Sequence, residues 1–216
     1  MALIVAVDKP LSITTIQGIC READGIKTGL PTLVEAGTRW MLDAAKACKG
    51  IRVLDLKLAD IGPVMVRTVE PFLGVYDTFI AHSFVGSKGA LEDLKNEVER
   101  VGGRLVLVAS MSHPGATEVY DESARHILSV IDKVDPWGLV APATRPQIIE
   151  MLRRRYPRKA ILSPGIGAQG AKPGEALCAG ASYEIVGRRI TGSPDPVGEA
   201  RRVRVEQYEK LSNCKP

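Results

Sequence analysis

The densest run of chemistry-bearing residues is Val53-Leu54-Asp55-Leu56-Lys57-Leu58-Ala59-Asp60-Ile61. On a β-strand, residues two apart point to one side, so Asp55 and Lys57 share a face and Leu54, Leu56 and Leu58 take the other. An acid and a base then enter one interior, where an ion out of water costs several kcal/mol unless it is paired or wet. An internal salt bridge that only fixes the strand would need one charge of each sign. Asp60 adds a third charge at the strand end, and Asp8 and Lys27 stand in or just after two further apolar runs. An alternating Asp–Lys–Asp set with an extra lysine suits proton delivery better than stability.

Two glycine-rich segments suit an anion. Ser163-Pro164-Gly165-Ile166-Gly167-Ala168-Gln169-Gly170 has three glycines in six residues, which lets backbone N–H groups approach closely. Val186-Gly187-Arg188-Arg189 supplies a guanidinium for charge-assisted bonds to phosphate oxygens. Between these and the charged strand lies Ser110-Met111-Ser112-His113-Pro114-Gly115-Ala116. No Gly-x-Ser-x-Gly elbow accompanies its Ser-His pair, which argues against a serine hydrolase. Ser112 is a hydrogen-bond partner suited to a planar base, and His113 suits a capping turn.

These residues need a scaffold that gathers strand ends. Candidate strands are Leu3–Val7, Gly25–Thr28, Arg52–Leu58, Tyr76–Ala81, Arg104–Ala109, Gly138–Ala141, Ala160–Ser163 and Tyr183–Gly187. Helical spacing separates them, for example Leu91, Leu94, Val98 and Val101, and later Ile148, Ile149 and Leu152. Strands alternating with helices imply parallel pairing. Eight such units predict a (β/α)₈ TIM barrel filling residues 1–216 as one domain, with an open doubly wound sheet as the alternative. In a barrel, the charged residues and both glycine-rich loops fall at the C-terminal mouth, where active sites of this architecture lie.

Composition bounds the function classes. The chain has 216 residues, 29 basic and 25 acidic, with formal charge +4, too balanced for a nucleic-acid surface. Arg153 to Arg155 read as a solvated helix face. Cys20, Cys48, Cys178 and Cys214 form no C-x-x-C pair, so zinc and a disulfide framework are not expected, and thiols in a reducing compartment are. The short apolar start, Met1 to Val7, lacks a basic n-region and reads as a strand rather than a signal peptide. Without a membrane-length apolar run, a cytoplasmic location is expected.

The D-x-K-x-x-D pattern of Asp55, Lys57 and Asp60 resembles the signature of the orotidine monophosphate decarboxylase superfamily, which includes sugar-phosphate decarboxylases and hexulose-phosphate synthases. M-S-H-P-G-A at Met111–Ala116, S-P-G-x-G-A-Q-G at Ser163–Gly170 and V-G-R at Val186–Arg188 are similar to the orotidine monophosphate decarboxylase branch, in its short archaeal form. Ile26-Lys27-x-Gly29 and Ala143-Thr144-Arg145-Pro146 resemble the family's second and sixth strand ends, and the likeness runs from Asp8 to Arg188. It implies decarboxylation of orotidine 5′-monophosphate (OMP) to UMP in pyrimidine biosynthesis, without metal or cofactor. By the same resemblance, Lys57 protonates C6, Asp55 lies beside the substrate carboxylate, and Lys27 and Asp8 contact the ribose. Ser112 and Gln169 read the base, while Pro164, Gly167, Gly187 and Arg188 line the phosphate end. Asp60 would reach a neighbouring subunit's site in a homodimer. Two places depart from the family pattern: Val64 stands where a threonine contacts the nucleotide, and Cys178–Glu184 is one residue longer, an expected change in a helix-to-strand turn. A Mg²⁺-dependent sugar-phosphate enzyme and a catalytically silent nucleotide-binding barrel are the competing expectations, and Val64 leans towards the second.

Overall fold

The computed structural model describes residues 3–214; Met1, Ala2, Lys215 and Pro216 of the expected 1–216 unit lie outside the described residues. Eight parallel strands close into a barrel in chain order: β1 Leu3–Val7, β2 Gly25–Gly29, β3 Ile51–Leu58, β4 Thr78–His82, β5 Arg104–Val108, β6 Gly138–Val140, β7 Ala160–Pro164 and β8 Tyr183–Val186. Closure is made by β1 against β8, where Ile4 faces Ile185 and Val5 faces Val186. The open doubly wound alternative is therefore excluded: a closed sheet leaves no edge strand to protect. Around the barrel run α1 Ile13–Glu22, α2 Leu30–Lys46, α3 Gly62–Val69, α4 Glu92–Arg100, α5 Ala124–Val134, α6 Pro146–Arg155, α7 Glu175–Cys178, α8 Arg188–Thr191 and α9 Pro196–Ser212.

Local chemistry explains the helix starts. Ser12 accepts the Thr15 N–H at 3.1 Å to cap α1, and Asp195 accepts the Gly198 N–H at 2.9 Å to cap α9, which opens on Pro196. The periodic apolar residues then turn inward: Ile16 and Ile19 of α1 and Leu94 and Val98 of α4 are fully buried. Burying each such side chain stabilises the fold by about 1.5–3 kcal/mol. The fourth strand starts later than Tyr76 because that side chain is a buried clasp, its hydroxyl donating to the Met41 carbonyl at 3.0 Å. The longer Cys178–Glu184 segment forms the turn between α7 and β8, where Gly180 takes φ +103°.

Two expectations from composition are corrected. Arg153 is not on a solvated face: it donates to the carbonyls of Gly180 (2.8 Å), Pro157 (2.8 Å) and Lys159 (2.9 Å) and to the Ser182 hydroxyl (3.0 Å). Its guanidinium gathers carbonyls that α6, β7 and the turn before β8 leave unpaired. Arg154 and Arg155 are exposed, and Arg155 pairs with Asp132 at 2.7 Å. The cysteines are not free thiols either: Cys20 bonds Cys48 and Cys178 bonds Cys214, with Cα separations of 5.4 and 5.7 Å. The pairs meet through space across 28 and 36 residues, so sequence spacing carries no trace of them. Loops of those lengths are worth about 3–4 kcal/mol each in the chain-entropy account. Opening both bonds with a reductant is accordingly expected to lower the denaturant midpoint strongly, and an unchanged midpoint would contradict their contribution.

Among the described residues, no helix is long and apolar enough to cross a membrane.

Candidate active site

Strand β3 does not keep the regular alternation that the sequence suggests. Leu54 pairs with Phe79 and Leu58 with Ala81, so four steps along β3 match two along β4. Lys57 sits inside this bulge with φ +45°, a left-handed conformation rare for a side chain of its size. Strain of this kind costs roughly 1–3 kcal/mol and persists where the surroundings over-determine it. The bulge takes Asp55 and Lys57 out of strict strand geometry and brings them face to face. Gly29 of β2 lies directly opposite Asp55, and a Cβ there would stand 2.6 Å from the Asp55 carbonyl oxygen. Only glycine lets β2 come this close.

The resulting charge array is continuous. Lys57 Nζ donates to both Asp55 oxygens, at 2.9 and 2.8 Å. Lys27 Nζ lies 3.3 Å from Asp55 Oδ2 and 3.3 Å from Asp8 Oδ1. Exposure rises outward along this chain: Asp55 is 7% and Lys27 11% exposed, Lys57 34% and Asp8 46%. Burial works against the Asp55 carboxylate, but Lys27 and then Lys57 outweigh it and hold its pKa below the usual carboxylate range. Burial likewise works against the Lys27 ammonium; Asp55 and Asp8 outweigh it and raise the pKa above the ordinary lysine value. The inner pair is thus fixed in its ionised form across the neutral range.

A cavity of about 190 Å³ joins this array to the loops after β7 and β8; it is lined by Asp8, Lys27, Asp55, Lys57, Pro164, Gln169, Gly187 and Arg188, with Ala6, Gly165, Ile166 and Ile185 as its apolar and backbone wall. The loop after β7 is bent by Gly165, Gly167 and Gly170, all at positive φ. Arg188 is exposed and has no carboxylate partner among the described residues, whereas the neighbouring Arg189 is bound by Glu199 and Glu206. One guanidinium is therefore structural and the other is available to an anion.

Three expected residues lie apart from the cavity wall. Ser112 is half-buried in the loop after β5, outside the lining residues. Gly167 lies on the outer side of its loop, against the Arg189 side chain. Asp60 is exposed beyond the end of β3, and its carboxylate accepts the Ile61 N–H at 2.7 Å. His82, at the end of β4, is a hydrogen-bonded rim residue: its Nδ1 bonds the Tyr120 hydroxyl. Tyr120 was not singled out from the sequence, since nothing in a loop tyrosine's spacing marks its partner. Among the described residues, no three His, Cys, Asp or Glu side chains are grouped to hold a metal.

Comparison with known proteins gives a consistent picture. Residues 1–203 match the model of a family described as orotidine 5′-phosphate decarboxylase / HUMPS. The chain is 50% identical over 200 residues to an orotidine 5′-phosphate decarboxylase of Aeropyrum pernix, covering 91% of this chain and 81% of that protein. It superposes on the crystal structure of orotidine 5′-monophosphate decarboxylase from Sulfolobus solfataricus with a TM-score of 0.90, at 37% identity and covering 97% and 99% of the two chains. The Methanocaldococcus jannaschii enzyme complexed with the inhibitor BMP gives 0.83, at 29% identity and covering 95% and 98%.

Proposed function

The chain belongs to the orotidine 5′-phosphate decarboxylase / HUMPS family, and from that premise we propose that it converts OMP to UMP and CO₂ by a proton transfer from Lys57. The observation that carries this reading is the single cavity that joins the Asp8–Lys27–Asp55–Lys57 chain to the unpaired Arg188. Such a cavity suits a substrate with phosphate at one end and a reacting carboxylate at the other. That the M. jannaschii relative is complexed with the inhibitor BMP supports a ligand site on this barrel.

The chemistry follows from the charges. The bond from C6 to the carboxylate breaks, CO₂ leaves, and the electron pair stays at C6, where a proton from Lys57 Nζ replaces the lost group. Lys57 has three N–H donors and spends two on Asp55, which leaves one for C6. Its ammonium also stabilises the negative charge as it develops, the larger share of catalysis in many enzymes. Asp55, deeply buried, faces the substrate carboxylate with little water to screen the repulsion, and departure of CO₂ relieves it. Lys27 keeps Asp55 ionised, and Asp8 and Lys27 address the ribose hydroxyls. Ser112 and Gln169 address the base, and Pro164 shares the cavity wall with Gln169. The Gly187 backbone and the Arg188 guanidinium hold the phosphate, whose binding energy can organise the distant reacting end, whereas the Gly167 N–H is already donated to the Ala171 carbonyl at 2.7 Å.

The Asp55 and Asp8 carboxylates are engaged by ammonium groups rather than grouped as metal ligands, which supports turnover without metal or cofactor. Asp60 is exposed and outside the wall of its own cavity, and is followed by Ile61 and Val64, 60% and 43% exposed. An apolar surface beside an exposed carboxylate supports a homodimer in which Asp60 serves the neighbouring site.

The test is to incubate purified protein with OMP, with and without EDTA, and to quantify UMP. Equal UMP formation in both arms is expected. No UMP, with a hexulose phosphate turned over only when Mg²⁺ is present, would overturn the reading in favour of the sugar-phosphate branch. Arg188→Ala is expected to raise KM for OMP about 10- to 100-fold, since a hydrogen bond to a charged group is worth about 1.5–3 kcal/mol. A wild-type KM in that variant would remove Arg188 from the phosphate site.

A further inference from the structure

We propose that Tyr120 and Asp121 are positioning residues that latch the Ser112 loop to the barrel rim, with His82 and Arg145 as the two catches. The wide turn Thr117–Asp121 ends the loop that starts at Ser110. Tyr120 is almost fully buried, and its hydroxyl bonds His82 Nδ1 at the end of β4. Phe84 stacks on the His82 ring at 4.7 Å and meets the Tyr120 ring edge-on at 6.4 Å, so both rings are held in place. The next residue, Asp121, takes a two-pronged contact from Arg145 at the start of α6, at 3.0 and 2.6 Å. The same guanidinium reaches back to Ser110 Oγ at 3.4 Å, so one arginine ties both ends of the loop.

Between these anchors the loop's hydrogen bonds among the described residues are internal: the Ala116 N–H to the His113 carbonyl, the Thr117 N–H and hydroxyl to the Pro114 carbonyl, and the Glu118 N–H to the Gly115 carbonyl. His113 and Pro114 are exposed. The position of Ser112 in this loop therefore depends on contacts made at Tyr120 and Asp121, outside the cavity. A segment held by so few bonds opens locally at small cost, and ligand affinity falls in proportion to the competent fraction.

The His82 contact suits its neighbourhood. Burial, and then the Lys57 charge, hold the His82 pKa below its ordinary value, while Asp55 acts the other way. Burial pushes the Tyr120 phenol up to about 12. The phenol thus keeps its proton and donates it to the lone pair of a neutral imidazole. The latch holds without adding another ion beside the Lys57–Asp55 pair.

This inference rests on the reading that Ser112 addresses the base, and it separates base recognition from phosphate recognition. In Tyr120→Phe and in Asp121→Asn, the dissociation constant of UMP and KM for OMP are expected to rise about fivefold, the loss of one hydrogen bond. The kcat should stay within about twofold. Inhibition by ribose 5-phosphate, which lacks the base, should not change. Unaltered UMP binding in both variants would overturn the latch. Equal weakening of UMP and ribose 5-phosphate would also overturn it, as general loosening of the mouth. Should Tyr120→Phe fail to fold, the more exposed Asp121→Asn still decides between these outcomes. A wild-type protein that neither binds UMP nor turns over OMP would overturn the base reading itself, and that failure shows before any variant is made.

Discussion

Lys57→Ala is expected to lower decarboxylation of OMP at least about 10⁴-fold while leaving the barrel folded. General acid catalysis alone contributes about 10²–10⁴-fold, and the same ammonium also meets the charge developing at C6. Stability should change little by comparison. Lys57 is one-third exposed, and its removal leaves Asp55 still paired with Lys27 at 3.3 Å. Alanine is no better suited than lysine to the left-handed φ of +45° there, so the substitution neither adds nor relieves backbone strain. Turnover of OMP and a denaturation curve on the same preparation check both halves. Activity within about tenfold of wild type would remove Lys57 from the chemistry.

The second large effect is structural as well as catalytic. Asp55→Ala leaves the Lys27 ammonium, 11% exposed, with only Asp8 for company. Removing one partner of a buried ion pair costs about 3–5 kcal/mol, because the remaining charge has lost its compensation. For a chain of this size that corresponds to a fall in Tm of roughly 10 °C. Adding Lys27→Met should recover most of that loss without recovering activity, since an apolar replacement of a whole buried pair is close to neutral.

The pH dependence has a definite sign. The Asp55 pKa is lowered on folding, so its contribution is present above the ordinary carboxylate value of 3.8 and is lost as pH falls through the lower, folded one. The Lys27 pKa is raised on folding, so its contribution is present below 10.5 and is lost as pH rises through the higher, folded one. The stability gap between wild type and Asp55→Ala should therefore be flat from about pH 5 to about pH 9 and narrow outside that window. A gap that varied steeply near pH 7 would contradict the assignment of the inner pair as permanently ionised.

The barrel was legible because each strand is a short apolar run and each helix has a separate periodic face. Leu94 and Val98, or Ile149 and Leu152, sit where that spacing puts them. Strand ends were less legible: Tyr76 has strand propensity, yet its hydroxyl is committed to Met41 and Thr28, so β4 begins two residues later. The Asp55–Lys57 proximity could be inferred from a spacing of two, but not its mechanism. Regular alternation leaves them merely on one face, whereas the bulge and the positive φ of Lys57 bring both carboxylate oxygens to its ammonium. What stayed hidden is long-range. Cys20 and Cys48, Cys178 and Cys214, His82 and Tyr120, and Arg145 and Asp121 are partners 24 to 38 residues apart, brought together by the packing of neighbouring barrel units. No local pattern encodes such pairs; they follow from which helices and loops become neighbours around the barrel.

The most direct test of proton delivery to C6 is to run the reaction in deuterium oxide and read the pyrimidine product by NMR. The Lys57 ammonium exchanges with solvent, so UMP with one deuteron at C6, none at C5, and one CO₂ per UMP is expected. Unchanged OMP, or UMP with ordinary hydrogen at C6, would contradict decarboxylation by this site.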